Sequence, residues 1–220
     1  KIKVDTMKRK TVFAAFALAC AVPGSSMLAA ANLQPGDLVV SEVLANPGAV
    51  ADSAGEWFEI YNRSANPFDL SGLVLRDAGT NAHTIETPLL INPGDYLVLG
   101  RNGDSSINGG YTPDYVYRDF TLANASDSII LEWEQRVIFE LYYTGGDGFG
   151  EAGVSRQLNS LHGPINARNY SPSEPTMLFG AGDLGTPGFG FLAQDNAPGV
   201  SEVPIPAAGW LFVSGLGMLA

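Results

Sequence analysis

Short apolar runs separated by clusters of Gly, Pro, Asn and Asp recur along the central part of the chain. The runs are rich in Val, Ile, Leu and aromatic residues, which is typical of β-strands. We predict strands at Leu38–Leu44, Trp57–Asn62, Leu73–Arg76, Tyr96–Leu99, Ser128–Trp133 and Arg136–Tyr143, with weaker candidates at His83–Glu86 and Tyr115–Arg118. No central window shows a sustained helical repeat, so this spacing of strands predicts an all-β sandwich or barrel.

The connections between these runs contain residues that favour turns. Asn46–Gly48, Asn92–Asp95 and Arg101–Gly110 combine Gly, which tolerates positive φ, with Pro or Asn. Only Glu134 and Gln135 separate the last two strong runs. We therefore predict that Ser128–Trp133 and Arg136–Tyr143 form a hairpin.

Residues 1–31 follow a different pattern, that of upstream residues and a secretory signal peptide. A basic stretch, Met7–Lys10, precedes a short apolar stretch, Thr11–Val22, which we expect to form the signal helix. Ala29 and Ala31 offer an A-x-A cleavage site. The alternative is a lipoprotein signal, in which Cys20 would be acylated.

Residues 203–220 open with a Pro-x-Pro pair and carry no charge. The fourteen residues Ala207–Ala220 are apolar or small, fewer than the roughly 20 that a membrane-spanning helix needs. We expect a hydrophobic helix that belongs to a membrane segment cut short in this sequence. A short interfacial or buried helix, or an apolar element of the folded domain, is the alternative.

This end of the chain resembles the PEP-CTERM class of bacterial sorting signals, in the variant that begins Val-Pro-Leu-Pro-Ala-Ala and continues Trp-Leu-Phe. The residues that match are Val203, Pro204, Pro206 and Trp210. Ile205 replaces the usual Leu, and the Arg cluster that completes such signals is missing. The resemblance implies delivery to an exosortase, a membrane protease of the cell envelope, with residues 192–202 as a linker.

Charge narrows the choice of partners. Positions 1–31 hold five of the 12 basic residues and one of the 23 acidic ones, so cleavage there leaves seven Arg, no Lys and 22 acids, a formal charge of −15. Such a chain repels phosphate backbones, so we do not expect nucleic acid as a partner. The remainder also lacks Cys, which excludes disulfides and thiolate metal sites from it.

Seven segments in order resemble a lamin tail domain. They are Ser41–Pro47, Glu56–Asn62, Asp69–Asp77, Leu90–Leu99, Phe120–Leu131, Gly153–Arg156 and Gly185–Gly188. Leu73 stands where the family commonly has Trp, and Ser126 where Gly is common. The resemblance covers roughly residues 37–191. It implies an immunoglobulin-like β-sandwich, which we place at residues 32–191, of a kind found on exported and surface proteins.

Candidate chemistry is sparse. Glu56 and Glu59 are three positions apart, so on one strand they would lie on opposite faces and not act as a pair. We expect both glutamates to have structural roles in the framework of the domain, with Glu59 hydrogen-bonded to a turn or facing solvent.

The candidates for a metal site are weak as well. Gly145–Gly150 contains Asp147 but matches no calcium-binding repeat, so we expect a flexible connector. His83 and His162 lack the spacing of a zinc site.

The sequence thus favours an exported, non-catalytic protein of the cell envelope or extracellular matrix, with no cofactor and no metal or catalytic residue assigned. Its partners would be the export machinery, an exosortase-type protease, the membrane before processing, and a surface protein or polysaccharide. The alternative is a metal-dependent hydrolase or a calcium-binding accessory module of an extracellular enzyme.

Overall fold

The computed structural model of the chain describes residues 32–190. Its strands are β1 Leu38–Leu44, β2 Trp57–Asn62, β3 Phe68–Asp69, β4 Val74–Arg76, β5 Ala82–Thr84, β6 Leu90–Ile91, β7 Tyr96–Gly100, β8 Tyr115–Val116, β9 Ser126–Trp133, β10 Arg136–Thr144, β11 Arg156–Leu158, β12 Tyr170–Pro172, β13 Leu178–Phe179 and β14 Asp183–Leu184. A four-residue helix, α1, spans Asp52–Gly55, and short 3-10 helices span Gly145–Asp147 and Ala167–Asn169.

Two main sheets build the sandwich. One has six strands in the order β12-β11-β1-β2-β7-β8, and the other has four in the order β10-β9-β4-β5. Neighbouring strands in both sheets are antiparallel, except that β8 joins β7 in parallel. Two-stranded ladders link β3 to β6 and β13 to β14. The all-β, immunoglobulin-like sandwich predicted from the sequence is confirmed.

The core fills the space between the two main sheets. Both sheets contribute buried side chains to it, among them Val40, Phe58 and Leu99 from the larger sheet and Leu75, Leu131 and Leu141 from the smaller one. Successive side chains of a strand point to opposite faces of its sheet, and these residues lie on the faces that meet in the core. The core extends beyond the strands through Phe120 and Phe149, which are fully buried.

The six-stranded sheet is covered on its other face as well. Trp57 alternates with Phe58 along β2, and it lies in a second buried cluster with Leu44, Val98 and Tyr111. Phe179, which comes from a segment near the end of the described chain, packs edge-on against the Trp57 ring at 6.0 Å between ring centroids. Burial on both faces explains why all seven residues of β1 are buried.

The strong strand predictions agree with the structure. The predicted bounds of β1 and β2 match it, and the other four strong candidates differ from it by at most two residues at one end. The β9–β10 hairpin is confirmed, with Trp133 paired to Arg136. Glu134 and Gln135 both have positive φ, 49° and 63°, as a two-residue turn of type I′ requires.

Other predictions need correction. The strand predicted at His83–Glu86 lies at Ala82–Thr84, and the one at Tyr115–Arg118 ends at Val116. The pattern missed α1 and the short strands β3, β6 and β11–β14. It also missed a bulge in β1, where the pairing with β2 shifts between Val40 and Glu42.

The predicted signal and sorting segments lie outside the described residues, and so do Ala29, Ala31, Val203, Pro204, Pro206 and Trp210. Within residues 32–190, no helix has the length and apolar character needed to cross a membrane.

Candidate functional site

The last described segment, residues 177–190, crosses the outer face of the six-stranded sheet, and we call it the closing strap. Its β13–β14 ladder turns it back on itself. The Leu184 amide donates to the Gly153 carbonyl at 2.8 Å and the Ser155 amide donates to the Leu184 carbonyl at 3.0 Å, which fixes the strap beside β11. The strap therefore forms a third layer over β1 and β2.

Glu42 on β1 binds the strap from below. Its Oε1 accepts a hydrogen bond from the Thr186 amide at 2.9 Å, and its Oε2 accepts one from the Thr186 hydroxyl at 2.7 Å. The Ser155 hydroxyl also donates to Oε1. Burial raises the pKa of Glu42 above its ordinary value, although the hydrogen bonds from Ser155 and Thr186 oppose the shift.

Glu59 on β2 binds the strap two residues farther along. Its Oε2 accepts a hydrogen bond from the Gly188 amide at 2.8 Å, and its Oε1 accepts one from the Ser41 hydroxyl at 2.7 Å. Burial and, after it, the neighbouring charge of Glu42 together raise the pKa of Glu59 to about 8, against the opposing hydrogen bonds from Ser41 and Gly188. Glu59 is therefore mostly protonated at neutral pH.

These contacts decide what the two carboxyl groups can do. Glu42 is 1% exposed and Glu59 is 0% exposed, so neither reaches a ligand outside the fold. The expectation that Glu59 bonds a turn is confirmed by its bond to Gly188, and the option that it faces solvent is wrong. The reason is the strap, which covers a sheet face that strand alternation alone would leave open.

Glu56 has a separate structural role just before β2. Its Oε2 accepts from the Arg101 guanidinium and from the Leu122 amide, both at 3.3 Å, and its backbone carbonyl accepts from the Tyr111 hydroxyl at 3.1 Å. Burial raises the pKa of Glu56 to about 7, with the Leu122 hydrogen bond and the Arg101 charge opposing the shift. Glu56 thus joins three loops at one end of the sandwich.

A groove of about 630 Å³ opens between the strap and the edge of the six-stranded sheet. Residues of the sheet edge and the loop before β8 form one side of it, namely Tyr96, Tyr111, Thr112 and Asp114; residues of the strap, including Leu178, Phe179, Pro187 and Phe189, form the other. Leu178 is 65% exposed and Phe189 is 81% exposed. Apolar and aromatic walls with a few polar groups are typical of binding clefts.

A close backbone contact holds the two sides of the groove together. The Ala181 amide donates to the Gly109 carbonyl at 2.8 Å. A Cβ added to Gly110 would lie 2.5 Å from the Gly180 Cα, closer than packed atoms allow. Glycine is required at Gly110 for this approach and for its φ of 97°.

The other sequence candidates lie apart from the strap. Asp147 accepts hydrogen bonds from the Thr144 amide and hydroxyl, both at 2.8 Å, in a capped 3-10 turn, so the connector predicted to be flexible has defined structure. His83 Nε2 is 2.8 Å from the Tyr115 hydroxyl. The His162 amide donates to the Ser160 hydroxyl. Within residues 32–190, no three His, Cys, Asp or Glu side chains are grouped closely enough to hold a metal ion.

Sequence reasoning did not single out Glu42, although one signal was present. Glu42 is the only charged residue in the β1 sequence Leu-Val-Val-Ser-Glu-Val-Leu, whose other residues are apolar except Ser41. A charge in a run of that kind is unfavourable unless hydrogen bonds satisfy it. Its partner Thr186 is 144 positions away, so the sequence pattern does not identify it.

The family model of the lamin tail domain matches residues 32–145, which is the part of the chain that runs through β10. The strap and strands β11–β14 lie beyond the matched range. No curated protein matches the chain. Because the match spans more than half of the 220 residues, the chain belongs to the lamin tail domain family.

Proposed function

We propose that this protein is an exported, non-catalytic component of the cell envelope or extracellular matrix. The observation that carries the proposal is the combination of a lamin tail domain, an immunoglobulin-like interaction module, with a signal-peptide pattern before it and a sorting-signal pattern after it. The signal peptide directs export. The sandwich folds outside the cytoplasm, and the segment at 203–220 delivers the chain to an exosortase-type protease.

The groove between the strap and the sheet edge is the candidate contact surface for a partner. It is concave, apolar on the strap side, aromatic and polar on the side of the sheet edge, and bordered by exposed Leu178 and Phe189. Its partner is a surface protein or a polysaccharide of the envelope. An acidic, lysine-free domain disfavours nucleic acid.

A structural role for the unusual glutamates supports a non-catalytic assignment. A catalytic carboxyl group must come within hydrogen-bond reach of its substrate. Glu42, Glu56 and Glu59 are at most 2% exposed, and each accepts a backbone N–H from another segment of the fold. Their raised pKa values follow from burial inside the domain.

Fractionation of bacterial cells that carry an exosortase-type protease tests the export and sorting steps. We expect the product of the complete gene in the envelope or the medium, shortened at its N-terminus. Substituting Ala29 and Ala31 with Arg should leave an unprocessed precursor. Substituting Pro204, Pro206 and Trp210 with Ala should permit export but block removal of the sorting segment. The matched control is Ile205→Leu, which restores the usual residue and should behave like the unsubstituted protein.

A product found only in the cytosol at full length would refute the proposal.

Retention of the protein on an isolated envelope fraction tests the groove. Leu178 and Leu90 have similar exposure, 65% and 69%, but only Leu178 lines the groove. Leu178→Asp should therefore weaken retention at least tenfold, whereas the matched control Leu90→Asp should leave it unchanged. Equal effects of the two substitutions would reject the groove as the contact surface.

A further inference from the structure

Two buried carboxyl groups lie side by side beneath the closing strap. Glu42 and Glu59 are directly paired residues on the neighbouring strands β1 and β2. Each carboxyl group accepts a backbone N–H from the strap, Glu42 from Thr186 and Glu59 from Gly188. Gln157 on β11 reinforces the first contact, because its side-chain amide donates to the Thr186 hydroxyl at 2.8 Å.

The charged groups that most affect the Glu59 pKa are acidic. Asp114, from the loop before β8, is one of them, and like Glu42 it raises the Glu59 pKa. The groups that lower the pKa values of the pair through hydrogen bonds are neutral: Ser41, Ser155, Gln157, Thr186 and the Gly188 amide. The ion pairs formed within residues 32–190 involve Arg76, Arg101 and Arg156, whose partners are Glu132, Glu56 and Glu151.

We propose that the closing strap is a pH-sensitive element, seated while the Glu42–Glu59 pair keeps at least one proton and released when both carboxyl groups ionise. Two carboxylates side by side repel each other strongly in a buried site. Opening the strap admits water to both groups and relieves that repulsion.

The raised pKa of Glu59 sets the direction in which strap opening depends on pH. With the strap seated, the Glu59 pKa is about 8; with the strap open and the group hydrated, it returns toward the ordinary value of 4.5. The seated state therefore binds more protons than the open state between these two values. As a result, the strap is held most firmly in acid and opens more often as pH rises, up to about pH 8.

Opening the strap would also remove the groove. Phe179, Pro187 and Phe189 form one of its sides, and all three belong to the strap. A partner held in the groove would thus bind in acidic or neutral surroundings and leave in alkaline ones. This consequence rests on the proposed function of the groove, whereas the attachment of the strap does not.

Amide hydrogen exchange on the full 220-residue chain measures strap opening directly. Base-catalysed exchange gains about tenfold per pH unit, and loss of one proton on opening adds up to about another tenfold. For Thr186 and Gly188 we expect the exchange rate to rise up to about a hundredfold per pH unit between pH 5.5 and 7.5, and tenfold per unit above about pH 8. In the variant Glu59→Gln, the exchange rate of these amides should rise less steeply with pH between pH 5.5 and 7.5. Glu140 is exposed, so Glu140→Gln is the matched control and should keep the steep rise of the unsubstituted protein.

A second measurement does not depend on any variant folding. In the unsubstituted protein, carboxyl-carbon NMR should give Glu59 a midpoint near 8, and the Thr186 and Gly188 amide resonances should shift with the same midpoint. The proposal is overturned if these amides gain only tenfold per pH unit throughout, or if Glu59 titrates near 4.5. Either result concerns the strap alone and leaves export and partner binding to be judged by their own experiments.

Discussion

At the scale of single residues, buried carboxyl groups set the pH dependence of stability. Burial raises the pKa of Glu59 to about 8 and that of Glu56 to about 7, so the folded state holds protons that the unfolded state releases near 4.5. The stabilisation is complete below pH 4.5 and is lost as pH rises through the folded values. Each group lowers the free energy of unfolding by at most about 1.4 kcal/mol per pH unit in that window.

Thermal unfolding between pH 5 and 8.5 checks this expectation. The melting temperature should fall across the range, and Glu59→Gln should make the fall shallower. Burial lowers the pKa of His83, so its titration makes the melting temperature rise with pH. Because His83 is partly exposed, this opposing effect is small. A melting temperature that is constant or rises from pH 5 to 8.5 would contradict the burial argument.

Gly110 gives a second prediction at this scale, with a matched control in Gly94. Both glycines have left-handed backbone, φ 97° and φ 80°, so replacing either with Ala costs about 1–2 kcal/mol of the free energy of unfolding. Nothing lies within 4 Å of a Cβ added to Gly94, whereas at Gly110 the Gly180 backbone is in the way. Gly110→Ala should therefore lower the free energy of unfolding by about 1–3 kcal/mol more than Gly94→Ala does. If urea unfolding shows that the two variants lose the same free energy of unfolding, the close contact between Gly110 and Gly180 is refuted.

The sequence predicted the face on which a strand residue lies better than it predicted what covers that face. Alternation along β2 separates Phe58 from Trp57 and Glu59. It does not reveal that the second face is buried too, because the covering strap is well over a hundred positions away, with Gly188 129 positions from Glu59. Long-range partners of this kind exist only in the folded chain.

At the scale of the elements, long strands were predictable and most two-residue strands were not. β1, β2, β9 and β10 have six to nine residues each and carry enough apolar residues to show a pattern. β3, β6, β13 and β14 have two residues each, and only their pairing partners define them. The Glu134-Gln135 turn was predictable because it lies between two clear apolar runs.

The bulge in β1 gives an element-scale prediction. Near the register shift between Val40 and Glu42, the Tyr170 hydroxyl donates to the Val40 carbonyl at 2.6 Å and links β1 to β12. Tyr170→Phe should lower the free energy of unfolding by about 1–3 kcal/mol, because a buried carbonyl loses its donor. Tyr142→Phe is the control, since Tyr142 is 54% exposed and should change stability by less than about 0.5 kcal/mol. Chemical denaturation that shows no difference between the two variants would contradict this role of Tyr170.

At the scale of the whole molecule, the strap that covers the sandwich lies beyond the part of the chain that the family model matches. The lamin tail match ends at residue 145 and includes Tyr111, which covers Trp57 on the outer face of the six-stranded sheet; Phe179 of that cover and one side of the groove come from the strap at 177–190. The sandwich was predictable from the order of its motifs. The groove was not, because it forms between the edge of one sheet and a strap that is distant in the sequence and lies beyond the range matched by the family model.

We propose above all that the sandwich is an exported module with a signal before it. The most direct test is the N-terminal residue and intact mass of the protein recovered from the cell envelope or the medium. We predict Asn32 as the first residue and no lysine in the chain, so that the terminal amine is its only primary amine. Recovery only from the cytosol, as a chain that still contains Lys8 and Lys10, would contradict the claim.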